Sequence, residues 1–199
     1  MRTHNLLIAG LLTGVAFAAP SFVLAADNSV SIQDQTFATD ARQGNQAEII
    51  MSQNVEDRTR NTDIKAFAKK MISDHTYLDE QLKKAAEGTD ASLPDNFDGP
   101  HQAMVDRVSN ASDADVDRDY LMVQDKAHKE AIAAYRAEAA AGTNDRLKSL
   151  AAQSVPVLQD HLAMLMKLEQ SPKFASMMPA TAAGSPETTT TITTTTTTP

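Results

Sequence analysis

An all-α fold is predicted by three features of residues 31–170. Apolar residues recur every three or four positions along four long segments, β-branched runs are few, and prolines stand only at positions 94, 100 and 156. Each long segment also carries one titratable residue inside its apolar stripe: Glu48, His75, His128 or His161. An amphipathic helix normally keeps such groups off its buried face, because an unpaired polar group there costs several kcal/mol or is neutralised. Four interruptions of this kind point to a shared site inside a helical bundle.

The first segment lies outside that pattern. Met1-Arg2-Thr3-His4 leads into an apolar run from Leu6 to Phe17 and then into small residues up to Val23-Leu24-Ala25, the composition of a secretory signal peptide. Val23 and Ala25 fit the small-x-small rule for cleavage after Ala25, with Ala18 and Ala26 as alternatives. A periplasmic or secreted product is expected, in three parts: signal peptide 1–25, domain 31–170 and tail 171–199.

Helix one is expected over about Asp34 to Asp57, with Phe37, Ala41, Gly44, Glu48, Met51 and Val55 on one line. After a break at Arg60-Asn61-Thr62, where Asn61 or Thr62 caps the next helix, helix two carries Ile64, Phe67, Met71, His75, Leu78 and Leu82. Residues 88–99 read as a loop plugged by Leu93, and His101 to Val108 as a short additional helix before a turn at Ser109 to Ala114. Helix three, about Asp115 to Ala140, aligns Leu121, His128, Ile132 and Tyr135 and ends at Gly142 as C-cap. Helix four, about Asn144 to Glu169, repeats through Leu147, Ser154, His161 and Leu168, flanked by Leu150, Val157 and Met164. Pro156 is expected to kink it, since proline lacks a donor and leaves the carbonyl of Ala152 without its helical bond. Beyond Pro172, the prolines, Gly184 and a threonine run from Thr188 to Thr198 have the composition of a disordered tail.

Short connections imply antiparallel neighbours, so levels can be counted from each turn. Glu48 lies about a dozen residues before the first turn and His75 about a dozen after it, roughly 18 Å along each axis, so the two are expected to face each other. His128 and His161 lie about 20 and 27 Å from the second turn, a mismatch of little more than one helical turn.

Composition excludes several classes of function. Loss of Arg2 with the signal peptide leaves 17 basic against 26 acidic residues, a formal charge of −9 that argues against nucleic acid as a partner. No cysteine is present, so a metal or redox site must use His, carboxylate or Met ligands. The mature segment has no run of about 18 apolar residues that would span a membrane. Glycine-rich nucleotide loops, the Walker loop and the Gly-x-Ser-x-Gly elbow are missing, and Ser154 in a helix seam is more simply a packing residue than a nucleophile. The acids Asp113, Asp115, Asp117 and Asp119 lack the glycine and terminal glutamate of an EF-hand and read as a solvated helix start.

Several stretches together resemble the exported, ferritin-like family known as domain of unknown function 4142 (DUF4142). They are Phe37 with Gly44 and Glu48, the run from Lys65 to His75, Asp117-Arg118-Asp119-Tyr120-Leu121 before His128, and Pro156 with His161. The resemblance covers about Phe37 to Leu168 and implies a ferritin-like up-and-down four-helix bundle in the bacterial envelope, without implying an activity. Di-iron ferritins use a Glu-x-x-His pair on each of two helices. No such pair occurs here, and the nearest relic is Asp125-x-x-His128. Where the related pattern has Asp-His in helix three, Ala127 precedes His128 in this chain, so a role for that aspartate does not carry over.

The functional expectation is one metal ion held by Glu48, His75, His128 and His161, with Asp125 as fifth ligand or hydrogen-bonding partner. Imidazole with carboxylate suits Zn, Fe, Mn or Cu, and Met51, Met71 and Met164, each one turn from one of these residues, extend the choice to a copper carrier. The competing expectation is a metal-free hydrogen-bonded network of the same residues, in a protein whose acidic surface serves an envelope protein partner.

Overall fold

The computed structural model describes residues 29–178; the segment expected as a signal peptide and the threonine run lie outside them. Six helices form, and no strand occurs among the described residues: α1 (Ile32–Arg58), α2 (Thr62–Ala86), α3 (Gly99–Ser109), α4 (Val116–Ala141), α5 (Asp145–Glu169) and α6 (Pro172–Met177). The four long helices and the short α3 fall within a few residues of their expected bounds, the usual scatter of helix ends.

Local chemistry fixes most of these boundaries. Ser31 and Asp34 form a capping box at the start of α1, each side chain accepting from the other's backbone N–H. Asn61 caps α2, and Asp98 caps α3 by accepting from the His101 N–H, with Pro100 in the first turn. Asn144 caps α5 by accepting from the N–H groups of Arg146 and Leu147, and α5 then continues as one helix through Pro156. Gly142 follows the last turn of α4, its N–H donating to the Glu138 carbonyl. No helix among the described residues is long and apolar enough to cross a membrane.

Packing is densest within two helical hairpins, α1 with α2 and α4 with α5, each closed by a three-residue connection. The hairpins meet where α2 packs on α5 and α1 on α4, while α3 lies across α1 and α4. Two apolar clusters fill the interior. Met51, Val55, Ile64, Phe67, Met71, Tyr120, Leu121 and Leu165 belong to the first. Phe37, Ala41, Leu78, Leu82, Ile132, Tyr135, Leu147 and Leu158 belong to the second. In α2, α4 and α5 the histidine sits in sequence between residues of the two clusters, so the polar groups make a layer between two apolar blocks.

Two expectations need correction. The flank of α5 that is fully buried is Ala151, Leu158 and Leu165, whereas Leu150, Val157 and Met164 are half-buried. A stripe three or four residues wide leaves that rotation open, and contact with both α2 and α4 decides it. The segment expected to open an unstructured tail instead begins with α6. Ser171 accepts from the Phe174 N–H, Pro172 fits the first turn, and Phe174 and Met177 pack against the first cluster.

Asp34 ties the two hairpins together at one end. Its carboxylate accepts from the Ser31 N–H, the Thr143 N–H at 2.8 Å, the Thr143 hydroxyl at 2.5 Å and the Asn144 N–H at 3.2 Å. Burial alone would raise this carboxyl, but the bonds from Thr143, Ser31 and Asn144 outweigh it and hold it well below the usual carboxylate range. Asp34→Ala removes a cap and several charge-assisted bonds at once, and is expected to lower the unfolding free energy in urea by about 2 kcal/mol. A change below about 0.5 kcal/mol in that titration, the range of ordinary surface substitutions, would contradict the assignment.

Candidate metal centre

His75 on α2, His128 on α4 and His161 on α5 converge in the polar layer. One ring nitrogen from each lies within 4.8 Å of the other two, and all three side chains are buried. The ring centroids stand 5.4 to 5.7 Å apart.

The hydrogen bonds around the rings settle where their protons are. His128 Nδ1 lies 3.0 Å from the backbone carbonyl of Gln124, which only accepts, so the proton is on Nδ1. His161 Nε2 donates to Asp74 Oδ2 at 2.7 Å. Burial would raise the Asp74 carboxyl, but Lys70 and His161 outweigh it and keep it ionised below its ordinary value. His75 Nδ1 donates to Asn45 Oδ1 at 2.9 Å, which leaves His75 Nε2 buried and without a partner. Each ring has therefore spent its single neutral-state proton on an oxygen. The remaining nitrogens, His75 Nε2, His128 Nε2 and His161 Nδ1, are lone-pair acceptors.

Two of these lone pairs face each other, His128 Nε2 and His161 Nδ1 at 3.3 Å. Nitrogens on one tetrahedral ion with bonds of 2.0–2.1 Å are separated by about 3.3–3.4 Å, so this pair already has ligand spacing. Metal-bound histidines characteristically give their other N–H to a carbonyl or carboxylate, which fixes the tautomer and strengthens the donor. Asn45, Gln124 and Asp74 have that relation to the three rings.

Burial also keeps the rings unprotonated. It pushes His75 well below its ordinary value, helped by the neighbouring His128 and His161. Burial and then His161 bring His128 down to about 4, against the opposing pull of the Gln124 carbonyl. His161 is lowered by burial, with Asp74 opposing. Burial pushes Glu48 up to about 7, with the Gln124 hydrogen bond opposing.

These directions give a signed pH dependence for the metal-free domain. A histidine depressed by folding contributes stability that is complete above its unfolded value near 6.5 and is lost as pH falls toward its folded value. For His128 the interval from 6.5 to about 4 corresponds to roughly 3 kcal/mol. A carboxyl raised by folding, such as Glu48, acts oppositely: its contribution is complete below about 4.5 and is lost as pH rises through about 7. The histidine contributions act against those of the raised carboxyls Glu48, Glu138, Asp40 and Glu169, and metal-free stability is expected to fall between pH 6.5 and 4 as the three histidines lose theirs. Glu48→Gln should steepen that fall. Urea titrations across this range check the sign, and a flat profile in both proteins would refute it.

Glu48 and Asp125, both expected as ligands, stand outside the convergent group. Glu48 accepts from the Gln124 side-chain amide, and its Oε1 lies 4.0 Å from His128 Nδ1, the nitrogen turned toward the Gln124 carbonyl rather than toward the other rings. The group of α1 that hydrogen-bonds His75 is Asn45, one turn before Glu48, an offset within the error of counting residues from a turn. Asp125 sits half-exposed on the flank of α4, paired with Lys129 at 2.7 Å, because one residue past Gln124 turns it about 100° from the buried line.

Asn45, Gln124 and Asp74 were missed as site residues. Asn45 and Gln124 left a sequence signal, since they precede Glu48 and His128 by three and four residues on buried faces. Asp74 left none: it points away from its neighbour His75 and reaches His161 across the α2–α5 contact.

Three buried histidines from three helices, each anchored through its distal N–H, form a group that could hold a metal in an all-helical protein. The chain belongs to the family described as domain of unknown function (DUF4142), whose model matches residues 19–168. Among solved structures it is similar to a DUF305 fragment from Deinococcus radiodurans, at 14% identity and a TM-score of 0.62, covering 70% of this chain and 97% of that one. At that identity the likeness concerns the fold. No curated protein matches the chain.

Proposed function

We propose that this protein is an exported, ferritin-like up-and-down four-helix bundle that binds one transition-metal ion through His75, His128 and His161. The observation that carries this reading is the set of lone pairs: with the ring protons committed to Asn45, Gln124 and Asp74, the nitrogens facing inward have no donor. Two such nitrogens at 3.3 Å repel unless a proton or a metal ion lies between them. A donor set of three imidazoles without a carboxylate suits zinc, copper or iron better than manganese. Glu48 contributes charge from nearby rather than a bond to the ion.

The metal-free alternative, an envelope interaction protein with a buried polar network, draws support from the Glu48–Gln124 hydrogen bond, which forms without an ion. Metal content separates the two. Mass spectrometry on untagged protein purified after export is expected to find about one metal ion per chain, and none in the triple variant His75→Ala, His128→Ala, His161→Ala. A metal-free parent that also refuses added zinc, copper and iron would leave the network reading in place.

A further inference from the structure

Between α1, α3 and α4 lies a cavity of about 220 Å³ that reaches the histidine layer. His75, His128, Asn45 and Glu48 line its inner end, and the apolar side chains of Phe37, Met104, Tyr135 and Leu158 line its walls. His161 is not part of the lining. Since the three rings come from α2, α4 and α5, the side of the site without a protein ligand faces α1 and this cavity. His75 Nε2, 96% buried by its residue and unpartnered, belongs to a ring at that inner end.

The composition of α1 keeps the space open. Gly44 stands one turn before Glu48 on the cavity side, and a Cβ placed there would meet only His101 Nε2, at an ordinary contact distance of 3.8 Å. Glycine in a helix interior costs roughly 1 kcal/mol relative to alanine. No left-handed backbone requires it here, because the positive-φ glycine among the described residues is Gly88. What Gly44 supplies is room.

We propose that this cavity holds a small, uncharged organic ligand, a single ring bearing one nitrogen, oxygen or sulfur donor, which takes the fourth position on the ion bound by His75, His128 and His161. This rests on the metal-binding reading above. Size supports it, since an apolar cavity of about 150 Å³ already accommodates benzene. Lining supports it as well: apolar walls strip water from an organic body but not from a hydrated ion, and Asn45, Glu48, His75 and His128 lie together at the inner end, apart from the other polar lining residues Asp40, His101 and Glu130. Charge favours a neutral molecule over an anion, because Asp40 and Glu130 stand at the exposed rim.

Cobalt(II) loaded into the full mature chain gives a visible spectrum that reports its coordination, and 4-methylpyridine, used where it is uncharged, serves as probe. The probe is expected to shift the cobalt bands and to bind about tenfold or more tighter than it binds the metal-free protein, followed by backbone amide chemical shifts. Gly44→Leu, which fills the cavity, is expected to keep the parent's cobalt content and weaken the probe by about tenfold or more. Ala131→Leu, from another wall, repeats the test if Gly44→Leu does not fold. Cobalt bands that ignore the probe, or respond equally in a folded cavity-filled variant, overturn the inference and leave the metal site standing. A parent that takes up no cobalt overturns the metal reading itself, and this is known before any probe is added.

Discussion

Zinc at a thousandfold excess over its dissociation constant is expected to raise the unfolding free energy of the metal-free domain by about 4 kcal/mol, less any zinc affinity of the unfolded chain. His161→Ala is expected to abolish that gain. The size of the effect follows from linkage alone, because an ion that binds only the folded arrangement stabilises it by RT ln(1 + c/Kd), where c is the free ion concentration. The site requires little reorganisation, since burial already keeps His75, His128 and His161 neutral and their distal N–H groups already hold them in place. His161 is the informative position because its partner Asp74 is half-exposed and remains solvated when the ring is lost. Urea titrations with and without zinc measure the gain. An equal gain in parent and variant would place the ion elsewhere.

Asp79→Ala is expected to cost about 3–5 kcal/mol, the range for breaking a buried ion pair from one side. Both Asp79 carboxylate oxygens accept from Arg42 Nη1, at 2.6 and 2.5 Å, and both side chains are more than nine-tenths buried. Without Asp79, Arg42 keeps only Asp95, whose side chain is 86% exposed, while Arg42 Nε already lacks a partner. Replacing both members by apolar residues, Arg42→Met with Asp79→Leu, is expected to recover most of the loss, because no uncompensated charge is left behind. A double-mutant cycle by chemical denaturation tests the pair. If Asp79→Ala alone costs less than about 1 kcal/mol, the pair behaves as an exposed one.

The residues differ in how much of this they disclose in sequence. The stripe of α2 is legible without exception, since Ile64, Phe67, Met71, His75, Leu78 and Leu82 are all buried, the expected result for a helix that packs against both α1 and α5. The three histidines are legible as a group because each breaks an apolar line at a compatible height. Glu48 is legible as buried, but its hydrogen-bond partner is not: Gln124 comes from α4, a pairing set by rotation and offset between helices that spacing along one chain does not encode. Asp74 is hidden for a related reason, as its function depends on the helix across from it. α6 escapes because proline and serine near a low-complexity run look like the run itself, and the apolar contacts of Phe174 and Met177 exist only once the first cluster has formed.

The division into two hairpins gives the histidine layer a mechanical meaning. His75 belongs to the first hairpin and His128 and His161 to the second, so an ion bound by all three is a cross-link that closes a 53-residue chain loop between positions 75 and 128. At the far end, Asp34 fastens the same two halves with hydrogen bonds alone. Parting the hairpins at the cross-link opens the site while the dense contacts within each hairpin survive. Loading would therefore appear in hydrogen exchange as slower opening along the α2–α5 and α1–α4 seams, with the turns at 59–61 and 142–144 unchanged.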